Sequence, residues 1–275
     1  MKSLDLRSML FIPAHMDRFV EKATGLSGIN APTAVILDLE DGVPEHLKSS
    51  ARGLITKHSM KLSEYYPVFV RINSLKTRYW LRDLEACILE SVSGVVIPKA
   101  DSPEDIVVID RIAGFIELER GLERGSISLM PLIETVKGVL KAYEIASSSN
   151  RVVAIGFGAG DFALDMGRFW WKDGVEYHHA RCYVALAAHA ANVIPVDGVY
   201  MDLDDLNGLK QDTFLSRRIG YEGRMVVHPA QIPIANKYYL ASEQEKKLAR
   251  KIIEAYDMAA GKGQGAIKID GMLLD

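Results

Sequence analysis

Thr33-Ala34-Val35-Ile36-Leu37-Asp38-Leu39-Glu40-Asp41 is a continuous apolar run that closes on three acids. A strand with one wet face alternates polar and apolar residues. A run that is apolar throughout fits a strand buried on both faces, as in a parallel sheet. Gly94-Val95-Val96-Ile97 repeats the pattern and ends on Pro98-Lys99. Outward from these two, the candidate strands are Ser8–Pro13, Ala34–Leu39, Val68–Ile72, Gly94–Pro98, Ser128–Ile133, Val152–Gly156, Val196–Met201 and Met225–His228. Helical segments separate them: Arg18–Thr24, Pro44–Lys57, Tyr79–Ser91, the stretch opening at Ser102-Pro103-Glu104-Asp105, Thr135–Ala146, Val175–Ala191 and Leu203–Ile219, with Ser242–Ala259 following the last strand. Ser102-Pro103-Glu104-Asp105 supplies an N-cap, a first-turn proline and acids at the positive end of the helix dipole. Ser242-Glu-Gln-Glu245 is a capping box. Eight such β–α units predict a (β/α)8 TIM barrel, with a doubly wound open sheet as the alternative. We assign residues 1–260 to the barrel. The glycine-rich Gly261-Lys-Gly-Gln-Gly265 then leads into a short C-terminal arm or lid, 261–275.

The chain has 275 residues, a formal net charge of −3 and 48% hydrophobic residues, the balance of an ordinary globular protein. Near-neutral charge argues against a nucleic-acid partner. Two cysteines, Cys87 and Cys182, are too few for a disulfide scaffold or a cysteine-rich metal site. No apolar run reaches the roughly 18 residues of a membrane span, and the N-terminus lacks a secretory signal. The expected location is the cytoplasm.

Barrel enzymes carry their chemistry at the C-terminal ends of the strands. Those ends here read Asp38-Leu-Glu40-Asp41, Arg71-Ile-Asn73, Pro98-Lys99, Glu134, Gly158-Ala-Gly160-Asp161, Asp202 and His228-Pro229. Carboxylates crowded on one rim repel each other unless a cation sits among them, and a hard divalent ion with oxygen ligands meets that need. Glu134 and Asp161, from adjacent strands, are the candidate ligands. Asp38, Glu40 and Asp41 are candidates to hold the metal's waters, or to form ion pairs with Lys99 or Arg71. With period two, Asp38 and Glu40 share a face and Asp41 points the other way. The Gly156–Gly160 loop does not have dinucleotide-fingerprint spacing. It reads as a tight loop whose backbone N–H groups, Gly160 among them, approach an anionic substrate. Arg18 and Lys22, four apart on the first helix, form a candidate phosphate patch or a solvated charged face. His178, His179 and His189 read as ordinary helix residues.

These residues also carry a family pattern. Arg7-Ser-Met-Leu-Phe-Ile-Pro13, Arg18-Phe-Val-Glu-Lys22, Ile36-Leu-Asp-Leu-Glu-Asp-Gly-Val43, Val70-Arg-Ile-Asn73, Val96-Ile-Pro-Lys99, Leu132-Ile-Glu-Thr135, Gly158-Ala-Gly-Asp161, Asp197-Gly-Val-Tyr200 and His228-Pro-Ala-Gln231 occur in one order along nearly the whole chain. In this the sequence resembles the citrate lyase beta-subunit-like branch of the HpcH/HpaI aldolase superfamily. The resemblance implies a barrel assembled as a homo-oligomer, a trimer or hexamer. It implies a Mg²⁺-dependent (alternatively Mn²⁺-dependent) carbon–carbon lyase acting on a β-hydroxyacyl-CoA thioester, with citramalyl-CoA ahead of malyl-CoA. A citrate lyase beta subunit acting on a carrier-bound citryl group, a malate synthase or a thioesterase are the other activities it implies. By motif position it assigns the metal to Glu134 and Asp161, the oxyanion to Arg71, and the CoA phosphates to Arg18 and Lys22. It assigns a catalytic acid to Asp275, through Gly271-Met-Leu-Leu-Asp275. Asp38 and Glu40 complete the expected catalytic set.

Overall fold

The two-sided apolar runs form β-strands that must bury both faces, and here the sheet closes so that the inner faces bury one another. In the computed structural model, which describes residues 4–261, 265–269 and 271–274, the strands are β1 (Ser8–Pro13), β2 (Ala34–Asp38), β3 (Val68–Arg71), β4 (Gly94–Ile97), β5 (Ser128–Ile133), β6 (Ala154–Phe157), β7 (Ile194–Asp197) and β8 (Gly223–Val226). They make a closed parallel barrel in sequence order. β1 closes it by pairing Ser8 with Arg224, Met9 with Met225 and Leu10 with Val226.

Side chains alternate strictly across this wall. Met9, Ala34, Ile36, Phe69, Val96, Met130, Leu132, Ala154, Val196 and Met225 pack together as one buried cluster inside the barrel. The residues between them, such as Leu10, Val35, Leu37, Val70, Val95 and Ile155, join the larger cluster under the helices. The alternation continues past the strand ends. Asp38 follows Ile36, Arg71 follows Phe69, Glu134 follows Leu132, and Gly158 and Gly198 continue β6 and β7 in the same parity. The inward row therefore changes from apolar to charged at the C-terminal mouth.

Among the strands, β6, β7 and β8 differ most from the sequence reading, and the second helix is Lys48–Ser63 rather than Pro44–Lys57. β6, β7 and β8 lie at 154–157, 194–197 and 223–226 rather than at 152–156, 196–201 and 225–228. β8 begins at Gly223 because a Cβ there would stand 1.9 Å from the Leu6 carbonyl oxygen, so only glycine lets the first and last strands meet. The helix after β8 is Ile232–Tyr238, not Ser242–Ala259. A capping box between His228 and Gln231 and a proline in the first helical turn start it. The chain accordingly divides into compact units at Tyr239/Leu240 rather than at residue 260. The second unit holds the helix Glu243–Ala260 and an antiparallel hairpin of Ile267–Ile269 with Met272–Leu274. Asp275 lies outside the described residues, as do residues 262–264 of the expected glycine-rich hinge. Among the described residues, no helix is long and apolar enough to cross a membrane.

Between sheet and helices sits a buried ionic quartet. Arg181 on the helix His178–Ala190 pairs with Asp197 at the end of β7 and with Asp212, 2.7 Å away, on the helix Leu206–Arg218. Arg224 of β8 reaches Asp212 at 2.6 Å and Thr213 Oγ1 at 2.6 Å. Burial opposes ionisation of Asp212, but Arg224 and Arg181 outweigh it and hold that carboxyl down at about 2. Removing Asp197 leaves two buried arginines sharing the single carboxylate of Asp212, an uncompensated charge in a dry site. Asp197→Ala is expected to cost about 3–5 kcal/mol of stability, read as a lower urea midpoint. A loss below about 1 kcal/mol, the range of an exposed pair, shows that the quartet is not holding these elements together.

Candidate active site

The inward residues at the mouth line a cavity of about 570 Å³, the size of a small-molecule site. Its charged wall is Asp38, Asp41, Arg71, Glu134 and Asp161, with Lys22 at one side. Its apolar wall includes Phe11, Phe19, Leu132, Val199, Met201 and Met225. Gly42, Gly158, Gly160 and Gly198 also face it.

Arg71, at the end of β3, is fixed by a two-pronged contact. Its Nε and Nη2 donate to the two oxygens of Asp38, each at 2.7 Å. Asp38 also accepts from the backbone N–H groups of Glu40 and Gly42, at 2.9 and 2.8 Å. Burial raises the Asp38 pKa, yet the Arg71 charge and these donors prevail and keep it below the ordinary carboxylate range. With four donors on two oxygens, Asp38 has little capacity left for proton transfer. Its effect is to orient Arg71, whose guanidinium also lies 4.7 Å above the Phe11 ring. Nη1 is the prong not engaged with Asp38. It lies 3.2 Å from Glu40 Oε2 and 3.9 Å from Asp41.

Glu40 is buried behind this arginine and is not among the residues lining the cavity. Oε1 accepts from Lys99 Nζ at 3.1 Å. Oε2 is near Arg71 but poorly aligned, and it takes no hydrogen bond. Burial pushes the Glu40 pKa up, only partly offset by Arg71 and Lys99. Sequence reasoning missed what holds its loop. Lys48, buried on the helix Lys48–Ser63, donates to the carbonyls of Leu39 and Glu40 at 3.1 and 2.9 Å and to Asn73 Oδ1 at 2.7 Å. Nothing in a helix lysine's sequence context signals that its ammonium turns inward.

Glu134 is the most perturbed carboxyl of the mouth. Burial raises it, Arg71 lowers it, and Glu40 and Asp161 raise it again, leaving it pushed up to about 8. Oε2 accepts from the Lys99 N–H at 2.8 Å. Among the described residues Oε1 accepts no hydrogen bond, and it faces Gly158, where a Cβ would stand 2.6 Å from it. A glycine is therefore required beside Glu134. Lys99 has φ +52°, the left-handed region that only Gly, Asn and Asp enter readily, at a cost of about 1–3 kcal/mol for other residues. Its ammonium spans Glu40, Asp41 at 3.6 Å and Asp161 at 3.5 Å. These carboxylates raise its pKa against the opposing effect of burial.

The mouth thus gathers Asp38, Glu40, Asp41, Glu134 and Asp161 around Arg71 and Lys99. No group of three His, Cys, Asp or Glu side chains among the described residues forms a closed cage for a metal. Two carboxylates on the cavity wall, one with an uncommitted oxygen, suit a Mg²⁺-like ion that completes its shell with water and substrate. Lys22 lines the cavity, whereas Arg18 does not and stacks on Phe19 at 4.8 Å. Gly160 faces the cavity beneath Met201, whose methyl is 3.3 Å from the position of a Cβ. Asp202, read from sequence as a rim acid, pairs instead with Lys172.

Comparison with known proteins identifies the family. Residues 7–229 match the HpcH/HpaI aldolase/citrate lyase family model, so the chain belongs to that family, a family of lyases. Citrate lyase subunit beta of Leuconostoc mesenteroides subsp. cremoris is 31% identical over 98% of this chain and 88% of its own length. The (3S)-malyl-CoA thioesterase of Cereibacter sphaeroides is 32% identical over 98% and 89%. Among solved structures, the CitE protein of Mycobacterium tuberculosis in complex with magnesium, acetoacetate and coenzyme A superposes with a TM-score of 0.80 at 28% identity, covering 100% of this chain and 94% of that one.

The raised Glu134 pKa has a stability consequence in metal-free protein. The folded state keeps the proton to about pH 8 while the unfolded chain releases it near 4.5. Its contribution is complete below the lower value and is lost as pH rises towards the upper one, by up to about 1.4 kcal/mol per pH unit. With chelator present, the native protein should lose stability relative to Glu134→Gln between about pH 5 and about pH 8. Parallel unfolding profiles for the two proteins would refute the assignment.

Proposed function

We propose that this member of the family is a divalent-metal-dependent carbon–carbon lyase that cleaves a short β-hydroxyacyl-CoA thioester, citramalyl-CoA first and malyl-CoA second. The observation that carries this reading is the juxtaposition, on one cavity wall, of the under-bonded Glu134 with Asp161 and of Arg71 oriented by Asp38. The magnesium and coenzyme A held by the Mycobacterium relative support it. Glu134 and Asp161 would hold Mg²⁺, or Mn²⁺ in its place. Bound there, the ion supplies Lewis-acid polarisation to the substrate's hydroxyl and carboxylate.

The chain's own groups supply the rest. Of the cavity's carboxylates, Asp38 is saturated by four donors and Glu134 and Asp161 are given to the metal. That leaves Asp41 to take the hydroxyl proton. The bond between the hydroxyl-bearing carbon and the methylene then breaks, and its electron pair passes into the thioester as an acetyl-CoA enolate. Arg71 offers Nη1 to the enolate oxygen and is preorganised, because Asp38 already fixes its plane. Return of a proton to the methylene carbon completes acetyl-CoA. The family pattern gives that step to Asp275. At the other end, Lys22 and the backbone at Gly160 would receive phosphate and thioester oxygens, with Arg18 at the outer edge of the patch. The apolar wall of Leu132, Met201 and Met225 favours an acyl chain bearing a methyl substituent. The homo-oligomer, a trimer or hexamer, remains part of this reading.

Incubation with citramalyl-, malyl- and citryl-CoA, with Mg²⁺ and with chelator, tests it. Metal-dependent release of pyruvate from citramalyl-CoA is the expected result. Release of free CoA without acetyl-CoA would replace the lyase with a thioesterase, and no reaction with any thioester would overturn both. Arg71→Ala should lower kcat by about a hundred- to a thousand-fold, the scale of a lost oxyanion donor. A change confined to KM would make Arg71 a binding residue.

A further inference from the structure

Lys99 and Asn192 are the non-glycine residues at positive φ among those described. Asparagine enters that region readily and lysine does not. The kink after β4 sends two parts of one residue to two different carboxylates. The backbone N–H goes to Glu134 at 2.8 Å, and the ammonium lies 3.5 Å from Asp161. These are the carboxylates assigned to the metal, so Lys99 touches each proposed ligand through a separate group.

We propose that Lys99 is a resident counter-ion displaced by the metal: in metal-free protein its ammonium bridges Glu40 and Asp161, and it gives up Asp161 and stays on Glu40 when a divalent cation binds. The lysine thereby sets how tightly the ion is held. The inference rests on the reading that Glu134 and Asp161 hold the metal. Three observations support it. The shortest ammonium contact, 3.1 Å, is to Glu40, which is buried and off the cavity wall, so giving up Asp161 forfeits only a longer contact. The side chain is a lysine, a compact charge on a flexible stem, whereas the neighbouring Arg71 is locked in a planar fork and cannot shift in the same way. Finally, Lys99 and Arg71 are the cations paired with this acidic group, so without Lys99 the metal-free mouth loses half of its neutralising charge.

A bound divalent cation and a nearby ammonium repel, so removing the ammonium should tighten the metal. A merely structural role for Lys99 predicts the reverse. The test titrates chelator-stripped protein, without substrate, using Mn²⁺ by electron paramagnetic resonance and Mg²⁺ by calorimetry. Lys99→Met removes the charge and keeps much of the stem. Lys99→Asn removes it with a residue that tolerates the left-handed backbone, so a folded neutral variant is retained. Both should bind the ion at least about tenfold more tightly and melt at a lower temperature in chelator. Lys99→Arg keeps the charge and should bind more weakly than either neutral variant. Lys76→Met, whose ammonium pairs with Asp101 on a nearby loop, should leave the affinity unchanged. Unchanged or weakened affinity in both neutral variants overturns the inference. If Glu134→Gln still abolishes binding in that series, the functional reading stands while the counter-ion role falls. Failure of the unmodified chain to bind either ion overturns both.

Discussion

The mouth of this barrel is organised around an excess of buried negative charge. Asp38, Glu40 and Glu134 are buried, Asp41 and Asp161 stand beside them, and Arg71 and Lys99 are the cations among them. Carboxylates removed from water are costly unless donors or cations compensate each one. Asp38 is compensated in full by Arg71 and two backbone N–H groups. Glu40 and Glu134 are compensated in part, and their pKa values rise accordingly. An incomplete set of this kind is a poor way to stabilise a fold and a suitable way to hold a divalent ion. On the proposed reading, a divalent ion from solution would supply the remaining charge.

What makes such crowding possible is the strict alternation of the strand wall. The rows that place Ile36, Phe69 and Leu132 in the barrel interior also place Asp38, Arg71 and Glu134 on the same inward face one step later. The apolar interior fixes the register, since a one-residue slip would turn every core residue outward. Packing therefore aims the charged residues without any device of their own. On the opposite side, Gly158 and Gly198 continue the inward rows and leave room. A side chain at 158 would collide with the Glu134 carboxylate. The cavity results from large charged residues on one half of the rim facing glycines on the other.

This division explains how far the sequence could be read. The barrel and the charged residues at the strand ends, Asp38, Arg71 and Glu134 among them, were legible from the rhythm of apolar runs; their common inward face is seen in the structure. β7 and β8 shifted because their limits depend on non-local contacts, such as the approach of Gly223 to Leu6, which a local apolar run does not report. The helix Ile232–Tyr238 has no counterpart in the sequence reading; it is seven residues long, and what starts it is the capping box at His228 and Gln231 with a proline in its first turn. Within the site, the sequence could name the charged residues but not their pairing. Period two puts Asp38 and Glu40 on one face with Asp41 opposite, but β2 ends at Asp38 and the cavity is lined by Asp38 and Asp41 and not by Glu40; Asp38 is saturated and Glu40 is under-bonded. The difference comes from the backbone turn at Glu40–Gly42, which donates only to Asp38. Lys48 and the left-handed turn at Lys99 leave no sequence signal either, because both arise from where the backbone goes after its element ends.

The two cations show why residue type matters beyond charge. Arg71 spends two of its donors on Asp38, rests on Phe11, and presents one prong in a fixed direction. A planar fork held this way suits an oxygen whose position is the same in every turnover. Lys99 is shared among three carboxylates at 3.1, 3.6 and 3.5 Å and commits fully to none. A point charge with several comparable partners can redistribute when a stronger cation arrives, at little cost in any one contact. Exchanging the two residues would put the movable charge where rigidity is needed and the rigid one where displacement is needed. The left-handed backbone at Lys99 coincides with this arrangement: its N–H holds Glu134 while its ammonium lies 3.5 Å from Asp161.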